Sequence, residues 1–385
     1  MEKIKRLLQA KIEAKLGKGK VIVLYGPRQV GKTTVVREIL RKRGSDRGYF
    51  NCEEAVVREA LLSMDSVRMF GYFSGNEVIA LDEAQSVPNI GRAIKILADS
   101  HPELNIIATG SSSFELANVV SEPLTGRKFE FFLPPVSLEE MKSNFGNAAA
   151  INSISDALIY GSYPEIATSA AIEEKAENLR LLATSYLYKD VLQYNRIKKH
   201  DMLVKILKAL ALQVGGEVSP NEIAAALQID RKTVLSYLSL LEQAFVIFKL
   251  PPFVKRRRDE IKLMNKYYFY DNGILNAVVN NFLPVENRND IGALWENYMI
   301  SERRKFNELH GRNPNSYFWR THSGCEIDLV EEINGELTPF EIKYNTTKIS
   351  RGAYSFAESY KSKTIQVINK DVALNWLSLP GIPHQ

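Results

Sequence analysis

A glycine-rich segment near the start of the chain has the residue types and spacing that bind a phosphate. It consists of Gly26, Pro27, Arg28, Gln29, Val30, Gly31, Lys32, Thr33 and Thr34. The pattern GxxxxGK(S/T) lets backbone N–H groups face phosphate oxygens, places a lysine at the β and γ phosphates and offers a hydroxyl to Mg²⁺. An apolar run before the segment and a helical pattern after it favour this phosphate loop over the alternative, an ordinary glycine turn.

A second apolar run, residues 78–81, ends in two carboxylates, Asp82 and Glu83. In enzymes that use a phosphate loop, an acid at the end of such a strand holds Mg²⁺. A neighbouring glutamate can orient and deprotonate the attacking water. We therefore expect ATP and Mg²⁺ as cofactors, with Asp82 as a metal ligand and Glu83 as the general base. A solvated acidic strand end is the alternative interpretation.

Polar residues also accompany the next two apolar runs. Thr109 and Ser111 lie at the end of the run at residues 105–110 and are candidate sensors of the γ-phosphate, although small hydroxyls at strand ends also cap helices. Arg127 precedes an apolar run and is a candidate arginine finger that acts across the subunit interface of a homo-oligomer. A surface salt bridge is the alternative role for Arg127.

Three charged residues interrupt the apolar frame of a hairpin predicted within residues 323–345, with Gly335 in its turn. Buried charge is costly unless it is paired or binds a metal. Glu341 and Lys343 share one face of their strand because side chains alternate with a period of two, and Asp328 on the neighbouring strand can approach them. Two carboxylates suit a hard cation such as Mg²⁺, and a lysine beside a metal can orient or deprotonate a water.

A third acid, Glu296, lies in an amphipathic helix that precedes the hairpin. The region is predicted to run helix, three strands, helix and strand. We expect Glu296, Asp328 and Glu341 to form a metal site, with Asp328, Glu341 and Lys343 as catalytic residues. The alternative is a structural ion pair of Lys343 with one of the hairpin carboxylates, in a core that has lost activity.

The segment at residues 215–250 has the spacing of a helix-turn-helix. Ser219 begins a capping box with Pro220 at the first helical position, and Asp230 can cap the second helix. That second helix would present Arg231 and Lys232 to a groove of DNA.

A basic run follows at the tip of a hairpin that is typical of a winged helix, namely Lys255, Arg256, Arg257 and Arg258. Such residues suit phosphate contacts, which position a protein on DNA without reading its sequence. DNA is therefore the expected partner. The alternative is a protein partner bound through the winged helix, with the basic run as a solvated face.

The composition limits the classes of protein that the chain can be. With 385 residues it is long enough for two or three domains, and its net charge of +5 permits a polyanion partner without requiring one. Cys52 and Cys325 have no CxxC partners, which argues against a disulfide framework or structural zinc and favours a reducing cytoplasm. No run approaches the roughly 18 apolar residues of a membrane span, and the basic start lacks the apolar run of a signal peptide.

The motifs, in their order, resemble those of known families. Residues 15–145 resemble the AAA+-like branch of P-loop ATPases, although no second sensor arginine is found in residues 150–192, and the C-terminal acids resemble the core of PD-(D/E)xK nucleases. The whole chain resembles a prokaryotic family that joins an AAA+-like ATPase to a winged helix and a nuclease-like domain of unassigned function. That resemblance is carried by YGPRQVGKTT, ALDEAQ, TGSSS, GSYPE, YLYKDV, YFYDNG, WRTHSGCEIDLV and FEIKYN.

The predicted fold class is α/β, with four parts. They are a P-loop AAA+-like domain with a parallel sheet at 1–145, a helical lid or connector at 146–195, a winged helix at 196–275 and a restriction-endonuclease-like α/β domain at 285–385. The resemblance implies ATP binding. The expected function is an Mg²⁺-dependent ATPase that acts on or near DNA and carries a metal-dependent nuclease module. The alternative is a nucleotide-switched regulator that recruits proteins, with the C-terminal domain as an inactive scaffold.

Overall fold

The computed structural model describes residues 3–111, 124–189, 200–254, 264–321, 323–362 and 365–377. These residues form two compact units. The N-terminal unit holds residues 5–135 together with 243–245, and the C-terminal unit holds the described residues of 136–242 and 246–385 with those that precede Lys5. The helices of the described ranges include none that is long and apolar enough to cross a membrane.

The N-terminal unit is a five-stranded parallel sheet with helices packed against it. Its elements are α1 (Leu7–Glu13), β1 (Val21–Tyr25), α2 (Lys32–Lys42), β2 (Tyr49–Asn51), α3 (Ala55–Leu62), α4 (Ser66–Phe73), β3 (Val78–Asp82), α5 (Ile90–Ser100), β4 (Asn105–Gly110) and β5 (Lys128–Phe132). The strand order is β2-β3-β4-β1-β5. The predicted parallel α/β sheet is confirmed, and the strands begin and end close to where the apolar runs do.

The apolar runs form strands because both faces of the sheet are buried. All five residues of β3 are buried, as are the first four of β1, which is typical of parallel strands in the middle of a sheet. Helix α5 places Ile90, Ile94 and Leu97 against the core at helical spacing. Because the core covers both faces, the polar residues that follow the strands are left at one edge.

Helices dominate the first half of the C-terminal unit. They are α6 (Leu138–Tyr160), α7 (Pro164–Thr168), α8 (Ile172–Lys189), α9 (His200–Leu212), α10 (Pro220–Leu227), α11 (Arg231–Gln243) and α12 (Asn272–Val279). Helix α6 begins at Leu138, where Ser137 and Glu140 form a reciprocal capping box, and it is kinked at Gly146, whose backbone is not helical. The division into four domains stays a prediction.

Two of these helices match the predicted helix-turn-helix. The Ser219 hydroxyl accepts a hydrogen bond from the Glu222 N–H at the start of α10, and the Asp230 carboxylate accepts one from the Thr233 N–H at the start of α11. Val234 and Leu238 of α11 are buried. Three short antiparallel strands accompany the pair in the order β6-β8-β7, namely β6 (Glu217–Val218), β7 (Ile247–Leu250) and β8 (Asn265–Phe269).

The last part of the C-terminal unit contains a four-stranded sheet and three helices. Its elements are α13 (Ile291–Leu309), β9 (Asn315–Arg320), β10 (Glu326–Ile333), β11 (Glu336–Ile342), α14 (Arg351–Tyr360), β12 (Gln366–Ile368) and α15 (Ala373–Trp376), with the strand order β12-β11-β10-β9. Strands β10 and β11 form the predicted hairpin, and Asn334 and Gly335 turn it with left-handed φ values of 52° and 83°. The order of elements is the one expected from the sequence.

A buried ion pair on α13 holds the segment that leads into α6. The Glu302 carboxylate accepts a hydrogen bond of 2.7 Å from the Leu138 N–H, and the Lys305 ammonium donates to the Val136 carbonyl at 3.2 Å. Glu302 and Lys305 also pair with each other at 2.7 Å, and their side chains are only 1% and 3% exposed. Both charges are therefore satisfied inside the unit.

Gly273, at the start of α12, is expected to be intolerant of any side chain. A Cβ at this position would lie 2.2 Å from the Tyr160 carbonyl oxygen and 2.8 Å from Leu179 Cδ2. We expect Gly273→Ala to cost about 1–3 kcal/mol of unfolding free energy, measured by urea denaturation, because such overpacking forces the backbone to shift. Gly292→Ala is the matched control, since that helical glycine has no atom within 4 Å of a new Cβ. An equal loss in both variants would contradict the explanation by packing.

Candidate functional site

The register of the parallel sheet brings the three predicted motifs of the N-terminal unit together. Strand β4 pairs with β1 on one side and with β3 on the other, with Leu24 opposite Thr109 and Leu81 opposite Ala108. The phosphate loop follows β1, and the two acids lie at the end of β3. All of these groups therefore meet at the carboxyl edge of the sheet, where ligands of open α/β sheets bind.

The Asp82 carboxylate is the centre of this cluster and is 4% exposed. Its Oδ2 accepts a hydrogen bond of 2.9 Å from the Thr33 hydroxyl and another from the Tyr49 hydroxyl. Its Oδ1 accepts a hydrogen bond from the Thr109 hydroxyl. Thr109 thus contacts Asp82 directly, which gives this predicted sensor a partner other than a phosphate. Together with burial, the contact with Asp82 raises the pKa of Tyr49 to about 12.

The loop itself is shaped to hold Lys32. The Lys32 ammonium donates to the carbonyl oxygens of Gly26 and Pro27, both at 2.7 Å, and the residue is 6% exposed. Gly26 approaches β5 so closely that a Cβ would lie 2.3 Å from the Leu133 carbonyl oxygen. Gly31 has a left-handed φ of 95° and is the N-cap residue of α2, and the first N–H groups of a helix have no partner within the helix. The loop and the helix start therefore present a cation and backbone donors at one place.

Glu83 lies directly after β3 in a left-handed conformation, with φ of 52°. Burial raises the pKa of Glu83 above its ordinary value, while the Lys32 charge and the Gln85 amide oppose that rise. The Gln85 amide donates to the Glu83 carboxylate and, at 3.4 Å, to the Ser111 hydroxyl. Ser111, the second predicted sensor, therefore reaches Glu83 through Gln85.

Arg6, which sequence reasoning missed, also supports the loop. Its guanidinium donates 2.6 Å hydrogen bonds to the carbonyl oxygens of Val30 and Pro134, and the residue is 5% exposed. The sequence gives only a weak signal, because Arg6 belongs to a basic stretch that looks like a solvated face. Its place next to the apolar face of α1 is the feature that could have identified it.

Arg127 does not lie at this site within the chain. Its carbonyl oxygen accepts a hydrogen bond from the Val21 N–H, so the residue sits at the amino end of β1, about 13 Å along the strand from the loop. Its guanidinium pairs with Asp99, and both side chains are about half exposed. This ion pair is the surface salt bridge expected as the alternative, and a role for Arg127 across a subunit interface stays a prediction.

The residues at the carboxyl edge fit ATP and Mg²⁺. A hydroxyl and a carboxylate, Thr33 and Asp82, are in contact, and hard oxygen ligands of this kind are those that Mg²⁺ prefers. A buried ammonium and the start of α2 lie beside them, as a triphosphate requires. The other predicted loop residues, which are Arg28, Gln29 and Thr34, belong to the same loop and first turn.

The three predicted metal ligands of the C-terminal unit each accept hydrogen bonds from groups of the protein. Glu296 accepts hydrogen bonds from the Lys266 ammonium at 3.3 Å and from the Tyr268 hydroxyl at 2.6 Å. Asp328 accepts from the Ile342 N–H at 2.7 Å and from the Lys343 ammonium at 3.2 Å. Glu341 accepts from the N–H and the hydroxyl of Ser350.

Lys266, which sequence reasoning also missed, is the buried cation of this acidic cluster. Its side chain is 1% exposed and pairs with both Glu296 and Glu326. Burial lowers the pKa of Lys266, but the charges of Glu296 and Glu326 outweigh that effect and the net shift is upward. Within the described ranges, no group of three or more carboxylate, histidine or cysteine side chains is placed to hold a metal ion. The predicted metal site at Glu296, Asp328 and Glu341 stays a prediction.

The predicted DNA contacts fall partly inside the described residues. Arg231 and Lys232 are exposed at the start of α11, as expected. Lys255, Arg256, Arg257 and Arg258 lie outside the described residues.

Three family models match successive parts of the chain. Residues 18–142 match the family described as AAA domain. Residues 151–285 match a domain of unknown function (DUF8612), and residues 291–376 match another (DUF4143). Together with the parallel sheet and the loop, the first match gives the N-terminal unit an AAA-type ATPase fold, and the family that it resembles implies ATP and Mg²⁺.

The chain also resembles full-length proteins. An uncharacterized protein of Mycobacterium tuberculosis is 29% identical over 352 residues, which cover 90% of this chain and 75% of that protein. An uncharacterized protein of Methanocaldococcus jannaschii is 25% identical over 385 residues, covering 94% and 84%.

Solved structures with some likeness include a Walker-type ATPase of Pyrococcus abyssi, with a TM-score of 0.47 and 18% identity, covering 72% of this chain and 96% of that one. The RuvB Holliday junction branch migration motor of Thermotoga maritima has a TM-score of 0.33 and 17% identity, covering 64% and 90%.

Proposed function

We propose that the protein is an Mg²⁺-dependent ATPase that acts on or near DNA. The observation that carries the proposal is the contact between the Thr33 hydroxyl and the Asp82 carboxylate, with Lys32 and Glu83 beside it. This arrangement combines a phosphate cradle, a pair of metal ligands and a carboxylate that can act as a base.

Each residue of the site has a distinct task in hydrolysis. Bound ATP and Mg²⁺ supply the γ-phosphoryl group and the metal charge that polarises it. Thr33 and Asp82 hold the cation, and the Lys32 ammonium stabilises charge on the phosphate oxygens. Glu83 orients the attacking water and accepts its proton, and a raised pKa brings this carboxyl closer to the optimum for a general base.

Glu83→Gln should bind ATP as tightly as the wild type but turn over at least about 100-fold more slowly, because the amide keeps the shape of the side chain and loses the base. Phosphate release in steady state and calorimetric titration with ATP measure the two effects. Lys32→Ala is the binding control, since it removes charge at the phosphates and should weaken both ATP affinity and turnover. If Glu83→Gln also failed to bind ATP, the division of tasks between Asp82 and Glu83 would be wrong.

We propose further that α9–α11 and the sheet β6-β8-β7 form a winged helix that contacts DNA. What supports this is the pair of capped helices α10 and α11, with the exposed Arg231 and Lys232 where a recognition helix contacts a groove. The basic run from Lys255 to Arg258 lies between β7 and β8 in the chain, where the wing is expected. Phosphate contacts from these residues would hold the protein on DNA of any sequence.

Replacement of Arg231 and Lys232 by alanine should weaken binding to duplex DNA. The slope of log affinity against log salt should fall by about 0.9 for each phosphate that the variant no longer neutralises. Alanine at Lys255–Arg258 should have a similar effect that does not depend on sequence. The matched control replaces Lys348 and Arg351, which are exposed at the start of α14 and outside the proposed winged helix, and so removes equal charge elsewhere in the unit. Unchanged affinity and slope in a fluorescence titration at several salt concentrations would instead favour a protein partner.

For the C-terminal sheet, the geometry supports the inactive scaffold better than the nuclease module. The resemblance to PD-(D/E)xK nucleases stands on the order of Glu296, Asp328, Glu341 and Lys343. In the structure, however, Lys266 occupies the space beside Glu296, while Lys343 pairs with Asp328 at 3.2 Å. Burial lowers the pKa of Lys343, and the Asp328 charge outweighs it, so that the net shift is upward. A lysine of raised pKa is a stable partner for a carboxylate and a poor base.

Lys266→Met should therefore destabilise the protein by about 3–5 kcal/mol, because it leaves Glu296 and Glu326 buried without their cation. Lys343→Met is the control, since its side chain is 38% exposed and should cost much less. Chemical denaturation compares the two variants. The wild type should leave supercoiled DNA intact with Mg²⁺ or Mn²⁺. Cleavage that stops on chelation and in Asp328→Ala would overturn the scaffold proposal and restore the nuclease.

A further inference from the structure

Gln85 is the side chain of the nucleotide site to which no task has been given. It lies in the short 3₁₀ turn Ala84–Ser86, directly after Glu83. The Ser86 N–H donates to the Glu83 carbonyl oxygen at 2.9 Å, which closes the turn. The left-handed backbone of Glu83 is strained for a side chain of this size, and strain of this kind concentrates at functional sites. The turn therefore places Gln85 and Glu83 on the same side of the strand end.

One end of the Gln85 amide is fully engaged. Its Nε2 donates to the Glu83 carboxylate and, at 3.4 Å, to the Ser111 hydroxyl. Because a carboxylate accepts and cannot donate when it is ionised, the nitrogen is the end of the amide that must face it. The orientation of the Gln85 side chain follows from that contact.

The other end of the amide has no partner. Gln85 Oε1 is buried and finds no hydrogen-bond donor among the residues that the structure describes. A buried acceptor left unpaired costs free energy, and the few that native proteins keep call for an explanation. The oxygen belongs to the same amide as Nε2 and so lies next to the Glu83 carboxylate.

We infer that Gln85 Oε1 accepts a hydrogen bond from the water that attacks the γ-phosphate of ATP. The inference rests on the ATPase function proposed above. A water has two O–H donors, and Glu83 and Gln85 offer two neighbouring acceptors. With one O–H donated to each acceptor, the orientation of the water is fixed, and one of its two lone pairs can be directed at the γ-phosphorus. Gln85 is therefore a catalytic residue that orients the nucleophile, while Glu83 takes its proton.

The step balances without any further reactant. The water oxygen forms a bond to the γ-phosphorus as the bond from that phosphorus to the bridging oxygen breaks, and ADP leaves with the electron pair. One water proton passes to Glu83, and the other stays on the oxygen that becomes part of inorganic phosphate, hydrogen-bonded to Gln85 until release. Ser111, which is 2% exposed and directly follows β4, accepts a hydrogen bond from the same Nε2 and so helps to hold the nitrogen end of the amide.

The test compares Gln85→Met, which keeps the length of the side chain and loses both amide atoms, with the wild type. We expect the kcat for ATP hydrolysis to fall about 10-fold to 100-fold, with KM and the calorimetric affinity for ADP unchanged. Affinity for ADP with aluminium fluoride, which mimics the transferring phosphoryl group with its water, should fall at least 10-fold. The melting temperature without nucleotide should stay the same or rise, because the unpaired carbonyl is gone. Gln9→Met, which removes an amide that pairs with Glu13, is the control and should leave kcat unchanged.

The outcomes separate this inference from the proposed function. If the wild type hydrolyses ATP and Gln85→Met does so equally fast, Gln85 has no such task while the ATPase stands. If the wild type shows no turnover, the proposed function fails and the task of Gln85 fails with it. A lower melting temperature with a matching loss of ADP affinity would assign Gln85 a structural role and overturn the inference.

Discussion

The hydrogen bond from the Thr33 hydroxyl to the Asp82 carboxylate joins parts of the chain that are 49 residues apart. It forms because β1 and β3 run parallel on either side of β4, so that their carboxyl ends reach the same edge at the same height. A shift of one residue in either pairing would turn alternate side chains to the other face and separate the two oxygens. The position of Lys32, Glu83 and Gln85 therefore depends on sheet register before it depends on any local contact.

Much of the N-terminal unit could be predicted because its signals are local. The strand, loop and helix around Lys32 occupy neighbouring positions, and the acids directly follow their apolar run. Arg6 escaped prediction because its partners, Val30 and Pro134, are distant in sequence. The distance between Arg127 and the loop could not be predicted from the sequence for a related reason. A residue before a strand lies at the opposite edge from a residue after one, and only the paired register shows how far apart they are.

In the C-terminal unit the order of elements and the hairpin followed from the alternation of apolar and charged residues. The hydrogen-bond partners of the acids did not follow from that pattern, because these partners lie on distant elements of the chain. Lys266 and Tyr268 share one face of β8, and both reach Glu296 across about thirty residues. A lysine within a run of aromatic residues, as in NKYYFY, is by itself typical of a polar position in an edge strand. Its burial depends on distant parts of the chain, namely α13, which packs against β8, and Glu326 of β10.

The buried pair of Glu302 and Lys305 has a consequence for how the protein is made. The ion pair hydrogen-bonds to the Val136 carbonyl and the Leu138 N–H. Both backbone groups are synthesised more than 160 residues before the side chains of the pair. Until α13 has been synthesised, those two groups lack the partners that they have in the folded unit, so the start of α6 acquires these contacts late. Contacts of such long sequence separation slow folding and prolong the exposure of apolar surface. The C-terminal unit thus completes this contact late in synthesis, whereas the N-terminal sheet has all five of its strands once Phe132 has been made.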